Sequence, residues 1–130
     1  MPSSTVYAAA VPAPPEAMKQ KTTGIIMATK IEAEPFIRGL GLSIIEKKPA
    51  RLYGAGPFVL AISGIGKTSA AIAATSLIER HRPSALFNCG AAGAAGRNHS
   101  VGEILQIDRV YELDRPHLLS GRPVAHRPDT

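Results

Sequence analysis

The chain has few of the residues on which several common kinds of site depend. Its 130 residues include no tryptophan, three tyrosines, three phenylalanines and one cysteine, Cys89. A single cysteine beside an apolar strand is typical of a buried thiol in the reducing cytoplasm, so a cytoplasmic location is expected. The four histidines, His81, His99, His117 and His126, lack the spacing of metal ligands. We therefore expect no metal site.

Long apolar runs and concentrated positive charge are also missing. Fifteen lysines and arginines against ten acidic residues give a net charge of +5, but the basic residues are scattered along the chain and gather on no helix face. Nucleic-acid binding needs a concentrated basic surface, so no nucleic-acid partner is expected. Residues 1–21 are rich in Ala, Pro and Ser and carry no leading positive charge, and their apolar part is too short to cross a bilayer. We predict that they form a disordered extension, and we expect no membrane association.

What the chain does contain is a strand–helix–strand unit rich in glycine and alanine. Residues 59–62 read as a buried strand and residues 85–89 as the next strand, and residues 67–81 between them read as a helix. The first strand runs into Ser-Gly-Ile-Gly at 63–66, and the second into Gly-Ala-Ala-Gly at 90–93. In open α/β sheets, small ligands bind at the carboxyl ends of the strands. The pattern therefore predicts a small-molecule site at these two loops.

The remaining elements fit a single domain. A helix is predicted over residues 31–39, and residues 42–62 read as two or three strands separated by turns at 48–49 and 54–57. A parallel sheet normally has both faces covered. With only two helices in the pattern, we expect one face or edge of the sheet to be exposed.

One alternative is a P-loop nucleotide-binding protein, because residues 61–68, AISGIGKT, fit a relaxed form of that motif. However, Ala61 stands where the motif requires glycine, and it lies inside the strand. The next strand ends in Asn88-Cys89 and provides no aspartate for magnesium. The segment ending at Asp108 arrives only after a second glycine loop. These departures make the P-loop the weaker interpretation.

Four motifs taken together resemble the nucleoside phosphorylase/nucleosidase superfamily, and within it the 5′-methylthioadenosine/S-adenosylhomocysteine nucleosidases. The first, TGIIMATKIEAE at residues 23–34, is similar to that family's GIIGAMEEE, and SGIGK at residues 63–67 is shared. NCGAAGA at residues 88–94 is similar to NTGSAGG, and VGEIL at residues 101–105 to a VGDIV strand. The resemblance covers roughly residues 23–115. It implies a three-layer α/β fold with a mixed central β-sheet flanked by helices.

The resemblance also implies a reaction, the hydrolysis of the N-glycosidic bond of a purine nucleoside with a modified 5′ position, without a cofactor. Such a reaction passes through an oxocarbenium-like state, so it needs a carboxylate to deprotonate water and an acid for the leaving purine. The family's water-binding carboxylate falls on Glu32, with Glu34 as its neighbour. The alternative is that both are ordinary acids in the first turn of a solvated helix.

Substrate-binding residues implied by the resemblance are Ile65 near the sugar and its 5′ substituent, and Ala92 and Gly93 near the base and ribose. Glycines in these loops could instead serve only turns and close packing. Ala91 stands where many relatives have serine. Relatives that use phosphate have an arginine at the position of Asn88, so hydrolysis is favoured, with nucleoside phosphorylase or futalosine hydrolase as alternatives.

The resemblance implies an incomplete fold, with residues 22–115 as the amino-terminal half of the domain and residues 116–130 as a loop or tail. The family's later half supplies a Met-Glu pair for the ribose hydroxyls and an aspartate that protonates the purine, and neither is found here. We therefore expect this chain to be inactive by itself. We expect the full-length form to be a homo-oligomer that binds a small-molecule nucleoside.

Overall fold

A computed structural model of the chain describes residues 21–116 and 123–126. The predicted disordered extension, residues 1–21, lies outside these residues except for Lys21. The chain divides into a first unit, Met1–Ala92, and a second unit, Gly93–Thr130. Each unit is described separately.

The first unit contains one mixed sheet and two helices, which confirms the predicted α/β class. Its elements in chain order are β1 (Thr23–Met27), α1 (Lys30–Gly39), β2 (Ser43–Glu46), β3 (Arg51–Ala55), β4 (Phe58–Ile62), α2 (Lys67–His81) and β5 (Ala85–Asn88). The strands lie in the order β2-β3-β4-β1-β5. Strand β1 pairs in parallel with β4 and with β5, whereas β2, β3 and β4 pair antiparallel.

The two helices cover opposite faces of the sheet. Neighbouring residues of a strand point to opposite faces, and Ile25 and Ile26 of β1 accordingly belong to two separate apolar clusters. Ile26 packs in the cluster that contains Leu77 of α2. Ile25 packs in the cluster that contains Ala33 of α1 and Leu60 of β4. The first unit therefore has the three layers expected from the resemblance.

Two glycines allow β4 to turn into α2. Gly64 has φ of 83° and Gly66, the N-cap of α2, has φ of 104°. Side chains are strained in this part of backbone space, and glycine is not. At the other end, Arg82 adopts the left-handed conformation and Pro83 follows it, so α2 ends where the sequence predicts.

Strand β5 forms one edge of the described sheet, and its side chains are exposed. All four of its residues are exposed, including Leu86 at 39% and Phe87 at 56%. At the opposite edge, Ile44 and Ile45 of β2 are also about half exposed. The expectation of uncovered sheet surface is confirmed for the residues that the structure describes.

The second unit corrects two predictions. Strands β6 (Val110–Pro116) and β7 (Pro123–His126) form an antiparallel pair, so residues 123–126 are not loop as predicted. Val110 pairs with His126 at one end, and Pro116 with Pro123 at the other. Proline is tolerated at strand ends and edges, where its missing N–H breaks no ladder. The proline content of this segment therefore did not exclude strands.

The strand expected at residues 101–105 is not formed. Glu103 bonds back to the preceding turn: its N–H donates to the Ser100 carbonyl at 3.2 Å, and its carboxylate accepts from the Ser100 N–H at 3.1 Å. Such local side-chain bonds compete with sheet pairing. Val101 and Ile104 are almost fully exposed. Within the described parts of the chain, no helix is long and apolar enough to cross a membrane.

Candidate active site

Three parallel strands bring their carboxyl ends to one edge of the sheet in the first unit. After β4, the Ser63 N–H donates to the Met27 carbonyl at the end of β1, at 2.9 Å. After β5, the Cys89 N–H donates to the Ile26 carbonyl, at 3.0 Å. These bonds hold the start of the two glycine loops on either side of the β1–α1 connection. This is where open α/β sheets bind ligands.

Helix α1 begins at this edge with a capping box. The N-cap Thr29 accepts a hydrogen bond on its hydroxyl from the Glu32 N–H at 3.3 Å, and its own N–H donates to Glu32 Oε2 at 2.9 Å. A threonine followed three residues later by a glutamate is a recognisable signal for a helix start. The spacing Thr29-x-x-Glu32 carries this signal, but Thr29 was not among the predicted site residues.

The Glu32 carboxylate is held by groups from two different loops. Its Oε2 also accepts from the Thr29 hydroxyl at 2.7 Å. Its Oε1 accepts from the Ala91 N–H, 59 residues further along the chain, at 2.9 Å. Gly90 permits this approach, because a Cβ at that position would lie 3.1 Å from Oε1. The structure thus joins Glu32 to the NCGAAGA loop, as a shared site requires.

The same hydrogen bonds lower the pKa of Glu32. The Ala91 N–H contributes most and the Thr29 hydroxyl next, since both stabilise the charged carboxylate, while partial desolvation opposes them. The carboxylate is therefore ionised at neutral pH, which is the form that can accept a proton from water.

This shift in pKa predicts how the stability of the chain depends on pH. A carboxyl with a lowered pKa in the folded state stabilises the fold above its unfolded pKa of about 4.3, and this contribution is lost as the pH falls through the folded pKa. We expect the urea concentration at the midpoint of unfolding to be higher for the wild type than for Glu32→Gln at about pH 6. The difference between the two midpoints should narrow by about pH 3. A difference in midpoint that stays constant over this range would contradict the lowered pKa of Glu32.

Glu34 has a different environment from Glu32. Its carboxylate bonds with the Arg38 guanidinium at 3.0 Å, one turn further along α1. Lys30, Glu34 and Arg38 also line an open groove of about 610 Å³ that does not include Glu32. Because only one helix lines this groove, it does not form an enclosed pocket. Of the two carboxylates, Glu32 is the one held by the loops.

The structure fixes the positions of the predicted substrate-binding residues less firmly than the position of Glu32. Ile65 lies in the loop between β4 and α2, with 83% of its surface exposed. Ala92 is the last residue of the first unit and is exposed, and Gly93 begins the second unit. Their roles toward a substrate stay predictions. Among the described residues, no group of three or more His, Cys, Asp or Glu could hold a metal ion.

Comparison with known sequences extends the local resemblance to nearly the whole chain. A sequence profile described as the phosphorylase superfamily matches residues 14–129. The chain belongs to this superfamily. The family predicted from the four motifs is confirmed, and the membership accounts for the loop at residues 63–67 without a P-loop.

The individual relatives are 5′-methylthioadenosine/S-adenosylhomocysteine nucleosidases and a futalosine hydrolase. The chain is 46% identical over 56 residues to a 5′-methylthioadenosine/S-adenosylhomocysteine nucleosidase from Staphylococcus epidermidis, covering 43% of this chain and 25% of that protein. The solved Campylobacter jejuni nucleosidase of the same name is 26% identical, with a TM-score of 0.69, over 85% of this chain and 50% of its own. A Helicobacter pylori futalosine hydrolase mutant is 19% identical with a TM-score of 0.70, over 85% and 52%, and it supports the fold alone. The chain thus spans about half the length of these solved relatives.

Proposed function

We propose that this chain provides the water-activating part of a nucleosidase active site, which hydrolyses the N-glycosidic bond of a purine nucleoside with a modified 5′ position. The observation that carries the proposal is the ionised Glu32 carboxylate, fixed by Thr29 and by the Ala91 N–H where three parallel strands end. The names of the relatives give 5′-methylthioadenosine and S-adenosylhomocysteine as the compounds that those proteins act on. Both are nucleosides that carry sulfur at the 5′ position.

In the proposed reaction, the bond between the anomeric carbon and the purine nitrogen breaks, and its electron pair leaves with the purine. A proton from an acid reaches the purine ring, so that the base departs neutral. Water bonds to the cationic anomeric carbon from the opposite face of the sugar and gives its proton to Glu32. The cationic carbon is a strong electrophile, so a carboxylate of low pKa is a sufficient base.

Two features of the loop favour water over phosphate as the nucleophile. The Ala91 N–H already donates to Glu32, and the negative carboxylate would repel a phosphate anion placed beside it. Asn88 stands at the position where phosphate-using relatives carry arginine, which binds phosphate with two parallel bonds. Nucleoside phosphorylase and futalosine hydrolase stay as the alternatives. The homo-oligomeric full-length form and the cytoplasmic location stay predictions.

The chain by itself is expected to release no adenine from 5′-methylthioadenosine. Glu32 supplies the base, but neither the acid for the purine nor the carboxylate for the ribose hydroxyls has been identified in the sequence, and groups that act as a unit fail together. The measurement is adenine release by the purified, monodisperse chain. Adenine release that co-purifies with the protein through a final column would show that the catalytic roles have been assigned to the wrong residues.

The proposed function is tested in a chimera that provides the other groups. In it, residues 22–92 of this chain replace the matching segment of the Staphylococcus epidermidis nucleosidase. We expect adenine release from 5′-methylthioadenosine that depends on Glu32. A folded chimera that binds the nucleoside and does not hydrolyse it would contradict the proposal.

A further inference from the structure

Thr29 makes two of the three described hydrogen bonds to the Glu32 carboxylate. Its N–H and its hydroxyl both donate to Oε2, at 2.9 Å and 2.7 Å, and its hydroxyl oxygen accepts from the Glu32 N–H at 3.3 Å. In the family pattern GIIGAMEEE, aligned so that its last glutamate matches Glu32, a methionine stands at the position of Thr29. The hydroxyl contact is therefore a property of this chain and does not follow from the family pattern.

The two carboxylate oxygens of Glu32 differ in the capacity that they have left to accept hydrogen bonds. Each carboxylate oxygen accepts about two. Oε2 already accepts two, both from Thr29, whereas Oε1 accepts the Ala91 N–H. Oε1 faces the backbone of Gly90, where the absence of a side chain leaves room. A water molecule would therefore bind at Oε1.

We propose that Thr29 is a positioning residue that saturates Oε2 of Glu32 and so directs Oε1 to act as the base. The inference rests on the proposed function of Glu32. Hydrogen bonds to a charged oxygen are short and roughly twice as strong as neutral ones. The Thr29 hydroxyl thus adds a third restraint on the Glu32 carboxylate to those from the Thr29 and Ala91 N–H groups.

The described partners of the carboxylate, Thr29 and the Ala91 N–H, do not titrate near neutral pH. The nearest charged groups along α1 are Lys30 and Glu34, and Glu34 is bonded to Arg38. On the loop that carries Ala91, the titratable group is the Cys89 thiol. A change in the titration of Glu32 after substitution of Thr29 would therefore report the lost hydroxyl contact.

The experiment is an NMR titration of the complete 130-residue chain, with the side-chain carboxyl carbon of Glu32 and the amide of Ala91 observed. Thr29→Val has nearly the same shape but no hydroxyl, and we expect the pKa of Glu32 to rise and the Ala91 amide signal to shift. Thr29→Ser keeps the hydroxyl, and we expect wild-type behaviour. Unchanged signals in a folded Thr29→Val chain would overturn the proposal.

Thr29→Gly separates positioning from helix capping. Glycine is about as good an N-cap as threonine, so α1 keeps its start, and it adds no charge beside Glu32. However, it has no hydroxyl to donate to Oε2, so we expect the pKa of Glu32 to rise above that of the wild type. Wild-type titration in folded Thr29→Gly would show that the Thr29 hydroxyl serves only as a cap. Because the titration does not depend on catalysis, its failure is distinct from a failure of the chimera to hydrolyse nucleoside.

Discussion

Replacing Glu32 by glutamine in the chimera is expected to slow adenine release by about 10²–10⁴-fold, the usual contribution of a general base. Glutamine keeps the length and shape of the side chain, and its amide oxygen can still accept from the loops. It cannot take a proton from water. The measurement is the turnover rate at saturating 5′-methylthioadenosine, with nucleoside binding determined separately.

Glu34→Gln is the matched control for this change. Glu34 is two residues away on the same helix, but its carboxylate is bonded to Arg38 and makes no described contact with the loops. We expect its rate to stay within a few-fold of the unsubstituted chimera. If both variants slowed equally, the loss would reflect a general effect on α1, and if neither slowed, the base would have to be another group.

Replacing Leu60 by alanine is expected to lower the free energy of unfolding by about 2–5 kcal/mol. Leu60 lies in the middle of β4, is fully buried, and packs in the cluster between the sheet and α1. The shorter side chain leaves a cavity that the surrounding strands cannot close. The measurement is urea-induced unfolding of the complete chain, followed by circular dichroism.

Ile31→Ala is the control for the core substitution. Ile31 is on α1 and 87% exposed, so removing its side chain creates no cavity. Its expected effect on the free energy of unfolding is within about 0.5 kcal/mol. An equal loss in both variants would mean that Leu60 is less well packed than the structure shows.

Much of the first unit could be predicted because its signals are local. Apolar runs marked the strands, and Gly64 and Gly66 marked the turn into α2. The role of Thr29 was also written locally, in the spacing Thr29-x-x-Glu32. The contact between Glu32 and the Ala91 N–H could not be predicted from local sequence, because a backbone donor has no residue type that identifies it. Only the family resemblance indicated that Glu32 and the loop after β5 belong to one site.

The second unit shows where such local signals fail. Its segment at residues 101–105 is apolar and resembles a family strand, yet Glu103 closes a turn with Ser100 instead. The pairing of β6 with β7 depends on main-chain partners and is compatible with the prolines at its end. Periodicity carries no information on whether a partner strand is available. That information comes only from the folded chain.

The position of β1 has a consequence for the order in which the first unit forms. Strand β1 is made first, but its partners β4 and β5 are synthesised later, and Thr23 pairs with Phe58 on one side and Ala85 on the other. On the ribosome, the antiparallel strands β2, β3 and β4 can pair early, because contacts between near neighbours close small loops. The Glu32–Ala91 bond closes across 59 residues and requires β5 to be in place. The carboxylate can therefore reach its final environment only after Ala91 has been synthesised and β5 has paired with β1.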